Sequence, residues 1–311
     1  KASELKAAKK KEAAEKRKAD EQRKIAEKKK ASKLKIVVDA VNSSGGIYVP
    51  ALLNKMGVDV VELYCEPNGY FPHNPEPLPE HLHDLCSKVI ETSSDLGFVV
   101  DPDVDRLAIV SEDGTLFGEE YTLVAVADYV LKMEKGSTVS NLSSTRALRD
   151  LSEKYGVNYF ASSVGEVNVV EKMKQVGAVI GGEGNGGVIY PKFHYGRDSL
   201  VGVALFLTHL AQSKLSCSEL RKQYNDYYMS KKKIELNANI DVDSILNMII
   251  EKYKHEDITT IDGVKINFNQ EWVHLRKSNT EPIIRVYTES TTAEKADALA
   301  SKFLEQIRKT F

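Results

Sequence analysis

From residue 35 to about residue 211 the chain runs twice through the same alternation of short β-branched stretches and longer helix-forming ones. In the first pass, strands are expected over 35–41 and 58–63, with a helix over 47–56 between them after the Asn42-Ser43-Ser44-Gly45-Gly46 turn. A Pro-rich loop over 67–79 leads into a helix ending near 94. Strands over 97–101 and 107–111 and a helix over 119–133 follow. The second pass has strands over 138–142, 158–161 and 178–181, helices over 145–155 and 166–175, and a closing helix over 199–211. Parallel neighbours need a crossover, so this rhythm predicts two related α/β units built on largely parallel sheets. After about residue 230 the pattern changes to strands over 233–238, 272–276 and 283–288 and a last helix over 293–308, a smaller α+β unit. The boundaries fall near residues 34, 135 and 230.

Charge divides the chain further. Residues 1–33 hold 14 Lys/Arg against 6 Asp/Glu, whereas the rest hold 29 against 39. The first segment is mostly Ala, Lys, Glu and Arg, and only Leu5 and Ile25 exceed Ala in apolar size. Strong helix formers without an apolar stripe predict a solvent-exposed charged helix or spacer. A basic arm is the sharper alternative, but no aromatic interleaves with the charges, which argues against single-stranded nucleic acid as a partner. No apolar run approaches the ~20 residues of a membrane span. Cys65, Cys86 and Cys217 show neither paired nor metal-type spacing, which points to a reducing cytoplasm.

Three loops carry the chemistry. In the first, Asp101, Asp103 and Asp105 alternate where the apolar run 97–100 ends, and Arg106 follows directly. Acids this close repel unless a cation holds them, and hard oxygen ligands suit Mg²⁺. The Arg is placed to pair with a carboxylate or a phosphate. With Glu112 the acids also match EF-hand spacing, but Arg106 stands where the sharp turn demands Gly, and the flanks read as strands. A dehalogenase-type Asp-x-Asp loop would want Thr or Val where Asp105 stands. The second loop, 181–187, has five glycines in seven residues, which implies exposed backbone around one acid, Glu183. In the third, Arg276, Ser278, Asn279, Thr280 and the nearby Arg285 make a phosphate cradle between two strands, stiffened by Pro282. Arg197-Asp198 and Ser163-Val164-Gly165-Glu166 are candidates to line the same cleft.

Taken in this order, the three loops resemble those of the α-D-phosphohexomutase superfamily, which includes phosphoglucomutase/phosphomannomutase and phosphoglucosamine mutase. The resemblance covers 34–311. It implies that Asp101, Asp103 and Asp105 hold Mg²⁺ with Arg106 beside the phosphoryl group. It places Glu183 and Asn185 on the sugar, and Arg276, Ser278, Asn279, Thr280 and Arg285 on the distal phosphate. It also implies four domains around a cleft, with units 34–135, 136–230 and 231–311 standing for domains 2, 3 and 4. The implied reaction interconverts 1- and 6-phosphates of a hexose or hexosamine, with hexose 1,6-bisphosphate as activator. Its nucleophile is a phosphoserine of domain 1.

That serine loop has no counterpart in these residues. Pro72-His73-Asn74-Pro75 imitates its tail with Pro at the Ser position, and Ser43 and Ser44 fall in a turn assigned to domain 2. The expectation is a chain that keeps a mutase's binding groups without its nucleophile, inactive alone and with weakened Mg²⁺ affinity. It would act as a phosphosugar- and metal-binding module or be completed in trans by a separate domain 1 polypeptide. Gly184-Asn185-Gly186-Gly187 departs from a Ser-Gly-His type of sugar loop and leaves the choice of sugar open.

Overall fold

The computed structural model describes residues 34–235, 241–278 and 282–310. The charged helix expected over 1–33 lies outside them, as do Asn279 and Thr280. The first unit comprises β1 (Lys35–Asp39), α1 (Gly45–Lys55), β2 (Asp59–Leu63), α2 (His83–Glu91), β3 (Leu96–Val100) and β4 (Leu107–Ser111). Its sheet has the order β2-β1-β3-β4, with β4 antiparallel to β3 and the others parallel. After α3 (Glu119–Met133) the second unit follows: β5 (Thr138–Asn141), α4 (Ala147–Tyr155), β6 (Tyr159–Ser162), α5 (Glu166–Val176), β7 (Ile180–Glu183) and β8 (Gly187–Ile189). Its order, β6-β5-β7-β8, has the same directions. The repeated rhythm is therefore a repeated topology.

This topology places the loops. In each sheet the first strand has its parallel neighbours on opposite sides, which opens a crevice at the strands' carboxyl ends, where α/β sheets bind ligands. In both units the third strand turns back as a hairpin beside that crevice. The acidic loop is the β3–β4 connection, and the Gly-rich loop is the β7–β8 connection. The two loops thus occupy equivalent positions.

Helix α3 joins the units. Every residue from Tyr121 to Leu131 is buried, as expected of a helix without a polar face. It packs against β4 of the first sheet and against β7 and β8 of the second. It also packs on α6 (Ser199–Ser213). From α6, Phe206 sets its ring edge-on to Phe98 of β3 and Phe117 at 6.0 and 5.2 Å. One hydrophobic cluster consequently runs through both units.

The short helix α7 (Cys217–Arg221) leads into the third unit: β9 (Tyr228–Glu235), α8 (Val242–Tyr253), β10 (Asp257–Thr259), β11 (Val264–Asn267), β12 (Trp272–Lys277), β13 (Ile283–Ser290) and α9 (Ala293–Arg308). The antiparallel sheet β10-β11-β12-β13-β9 has a core of its own. Strand alternation sends Val273, Leu275, Ile284 and Val286 into that core with α8 and α9. It sends Lys265, His274, Arg276, Arg285 and Lys233 to the opposite face. Among the described residues, no helix is long and apolar enough to cross a membrane.

Phe206 is the wedge between the first two units, so Phe206→Ala is expected to cost about 3–5 kcal/mol, read from urea unfolding.

Candidate active site

The acidic loop is folded by one of its own carboxylates. Asp101, buried at the end of β3, accepts hydrogen bonds from the backbone N–H of Asp105 and of Arg106 through Oδ1, both at 3.0 Å. Val104 lies in the left-handed region at φ 60°, a strained conformation for a β-branched residue. The turn brings one oxygen each of Asp101, Asp103 and Asp105 within 4.8 Å of one another. Burial, reinforced by Asp105 and Asp103, pushes the Asp101 carboxyl up to about 7. Burial raises Asp105 as well, against the pull of Arg197. Asp105 Oδ1 is buried and accepts no hydrogen bond among the described residues. Three converging hard oxygens, on acids one of which has a carboxylate oxygen without a donor, fit a Mg²⁺-like ion. Arg106 stands alongside, its Nη1 2.9 Å from Glu76 and its Nε 3.5 Å from Asp101.

The glycine loop differs from its expected form. Strand β7 continues through Gly181, Gly182 and Glu183, and the turn is only Gly184-Asn185-Gly186, largely buried. Its glycines serve close packing within the protein rather than an open loop. Gly186 sits at φ 87° with its carbonyl accepting from Leu107 N–H at 3.1 Å, and a Cβ there would run into the Leu107 backbone. A Cβ on Gly184 would overlap the carboxylate of Glu120. Asn185 closes the turn, its Oδ1 accepting from Gly187 N–H at 3.2 Å. Glu183 is buried and engaged on both oxygens. Oε1 accepts from Asn141 Nδ2 at 2.8 Å and Gly165 N–H at 3.2 Å, and Oε2 from Arg197 Nη1 at 3.0 Å.

In the third unit Arg276 faces Arg285 across β12–β13, and Arg285 faces Lys233 across β13–β9. Like charges directly opposite destabilise a sheet, so this row suits an anion above it. Ser278 N–H donates to Ile283 O at 3.1 Å at the mouth of the hairpin. Arg276 Nε lies 3.1 Å from Asp262 Oδ1, and Asp262 Oδ2 accepts from Val164 N–H at 2.9 Å.

These contacts form one continuous polar chain. Arg197 pairs with Asp105 of the acidic loop and with Glu183 of the glycine loop. Glu183 holds Gly165, the neighbouring Val164 is held by Asp262, and Asp262 holds Arg276. The two stretches expected to line the cleft, 163–166 and Arg197-Asp198, are thus the links between the three loops. The sequence reading missed Glu120, Asn141 and Asp262. Asn141 ends β5 as Asp101 follows β3, a polar residue closing an apolar strand. Asp262 sits in an Asp-Gly turn and signals only a hairpin.

Comparisons with known proteins find one family along the chain. Family models of the phosphoglucomutase/phosphomannomutase alpha/beta/alpha domains II and III match residues 15–114 and 118–227, and that of the C-terminal domain matches 231–306. A phosphoglucomutase/phosphomannomutase of Thermococcus kodakarensis is 35% identical over 281 residues, covering 88% of this chain and 61% of the relative. A protein of Methanopyrus kandleri named as a probable phosphoglucosamine mutase is 31% identical over 280 residues, covering 89% and 62%. The solved structure of a phosphoglucomutase/phosphomannomutase family protein from Burkholderia thailandensis superposes with a TM-score of 0.79 at 27% identity, covering 90% of this chain and 61% of that one. The chain thus spans little more than three-fifths of the length of the relatives it matches.

Two outcomes follow from the site's packing. Gly186→Ala combines left-handed strain with the Leu107 clash and is expected to lose at least ~1–2 kcal/mol in chemical unfolding. His274 is buried between Ser143 Oγ and the Asp262 carbonyl, and burial lowers its pKa to about 4. The folded chain therefore refuses a proton that the unfolded chain accepts below the ordinary value of 6.5. Stability falls as pH drops from 6.5 towards 4. Relative to His274→Gln, the unaltered chain is expected to lose about 2 kcal/mol between pH 7 and 5, read from thermal unfolding.

Proposed function

This chain belongs to the phosphoglucomutase/phosphomannomutase family, and we propose that its three units form the metal, sugar and distal-phosphate sites of a phosphohexomutase. The observation that carries the reading is the polar chain from Asp105 through Arg197, Glu183 and Asp262 to Arg276. It ties an acidic cation site to a cationic anion site, and a sugar phosphate needs both. We assign the units to residues 34–135, 136–230 and 231–311.

Each group has a chemical task. Asp101, Asp103 and Asp105 would hold Mg²⁺, which neutralises charge on a phosphoryl group in transfer. Arg276 and Arg285, with Ser278, bind the phosphate that does not react, and binding there positions the other end of the sugar. Arg106 faces the phosphoryl group from the edge of the acidic loop. We assign Glu183 and Asn185 to the sugar, which Glu183 would meet while held by Asn141, Gly165 and Arg197. The substrate is a hexose or hexosamine phosphate, and a hexose 1,6-bisphosphate primes the cycle.

The reacting phosphoserine belongs to a domain-1-type unit. Ser43 and Ser44, in the turn after β1, are engaged within the first unit. Ser43 is buried and its Oγ accepts from Gly45 N–H, while Ser44 Oγ donates to Pro102 O at 3.2 Å. The exposed apolar side chains of Ile47 and Tyr48 on α1, and of Tyr70 and Phe71 in the following loop, favour docking of such a unit on the first domain.

The test is a mutase assay with Mg²⁺, glucose 1,6-bisphosphate and the 1-phosphates of glucose, mannose and glucosamine. The 311-residue polypeptide alone is expected to show no turnover above the uncatalysed rate, and addition of a domain 1 polypeptide is expected to produce it. Turnover by the polypeptide alone at the rate of an intact mutase contradicts the placement of the nucleophile. In calorimetry with the same sugar phosphates, Arg276→Ala or Arg285→Ala is expected to cost ~1.5–3 kcal/mol of binding, the worth of one charge-assisted hydrogen bond.

A further inference from the structure

Arg197 lies outside the three loops, at the end of the segment that returns from β8 towards α6. Its side chain is 13% exposed and meets three carboxylates. Nη2 pairs with Asp105 Oδ2, Nη1 lies 3.0 Å from Glu183 Oε2, and Nε lies 3.4 Å from Glu166 Oε2. The Arg197 backbone N–H also donates to Glu166 Oε1 at 2.9 Å, which fixes the root of the side chain. The guanidinium is planar and carries its donors in a rigid fork. Two carboxylates held by the two arms of one fork cannot move independently.

The division of labour on Asp105 is informative. Oδ2 is taken by Arg197, while Oδ1 is buried without a hydrogen-bond donor among the described residues, on a carboxylate that belongs to the three-acid cluster. Arg106 Nε lies 3.8 Å from Oδ1, beyond hydrogen-bond reach. A carboxylate pinned through one oxygen presents the other in a set direction. Partners of this kind, behind a metal's ligands, commonly change metal affinity 10–100-fold when lost.

We infer that Arg197 is a positioning residue that aims Asp105 Oδ1 at the cation and, by holding Glu183 with its other arm, couples cation binding in the acidic loop to the sugar loop. The inference rests on the reading of the acidic loop as a divalent-cation site. It goes beyond that reading because Arg197 belongs to none of the three loops. Linkage makes the coupling reciprocal, so a change at Glu183 is felt as a change in cation affinity at Asp101, Asp103 and Asp105.

The sign of the effect separates this role from simple charge. Removing a cation next to a metal site tightens metal binding by Coulomb's law, whereas losing the group that orients a ligand weakens it. The experiment is Mn²⁺ binding to the 311-residue chain, followed by electron paramagnetic resonance, with folding checked by circular dichroism. Four proteins are compared: the unaltered chain, Arg197→Met, Glu183→Gln and the double variant. Arg197→Met is expected to weaken Mn²⁺ binding about 10–100-fold. Glu183→Gln is expected to weaken it several-fold, and in the Arg197→Met background to change nothing.

Unchanged or tighter binding in folded Arg197→Met overturns the inference. So does an effect of Glu183→Gln that persists undiminished in the double variant, since that is the mark of direct electrostatics. If Arg197→Met does not fold, Glu183→Gln decides at two salt concentrations. A loss that survives 0.5 M NaCl supports the mechanical link, and one that is screened away, or no loss, overturns it. Failure of the unaltered chain to bind Mn²⁺ overturns the cation-site reading and this inference together. Binding by the unaltered chain with no response to Arg197 overturns the inference alone.

Discussion

The guanidinium of Arg197 ties together acids that belong to two different sheets. Asp105 belongs to the first sheet's hairpin and Glu183 to the second's, and each is a buried or half-buried acid beside other acids. Without a shared counter-charge both acids would lose the cation that offsets their desolvation, and the side-chain link between their loops would be gone. With it, the separation between Asp105 and Glu183 is set by the width of one fork. The backbone contact from Leu107 N–H to the Gly186 carbonyl repeats the same link at the base of the loops.

The duplicated topology explains why such a link is possible. Two sheets of identical order present their hairpin loops at equivalent positions, and the fully buried helix α3 docks both against a single core. The third unit solves a different problem. Its sheet turns one face to its own core and carries Lys265, His274, Arg276, Arg285 and Lys233 on the other. Lys265 and His274 on that second face are buried against the second unit, with Lys265 Nζ donating to Leu142 O at 2.7 Å and standing 4.0 Å over the Trp272 ring. That anchoring orients the row of Arg276, Arg285 and Lys233.

Much of the fold was legible because it rests on periodicity. The helices Glu119–Met133 and Ala293–Arg308 lie where the sequence places them. The acidic loop was legible too, because three acids after an apolar strand demand an explanation. Less visible were features that depend on who lies opposite. Strand β8 is three residues long and carries no period, and α8, though amphipathic, was left unassigned with β10 and β11. The glycines of the β7–β8 turn read as an open loop because sequence does not reveal that Leu107 and Glu120 press against them. Asp262 acquires its role only through two contacts across a unit boundary, to Arg276 and Val164. Such partnerships are fixed by tertiary packing, and no local signal encodes them.

The central claim is that the acidic, glycine and arginine loops serve one ligand. A crystal structure of the chain with Mn²⁺ and glucose 6-phosphate, with anomalous scattering to locate the metal, tests it most directly. The account predicts a manganese peak among Asp101, Asp103 and Asp105 and phosphate density against Arg276 and Arg285, with the sugar lying towards Glu183. Manganese bound elsewhere, or a sugar phosphate seated away from the arginine row, would contradict it.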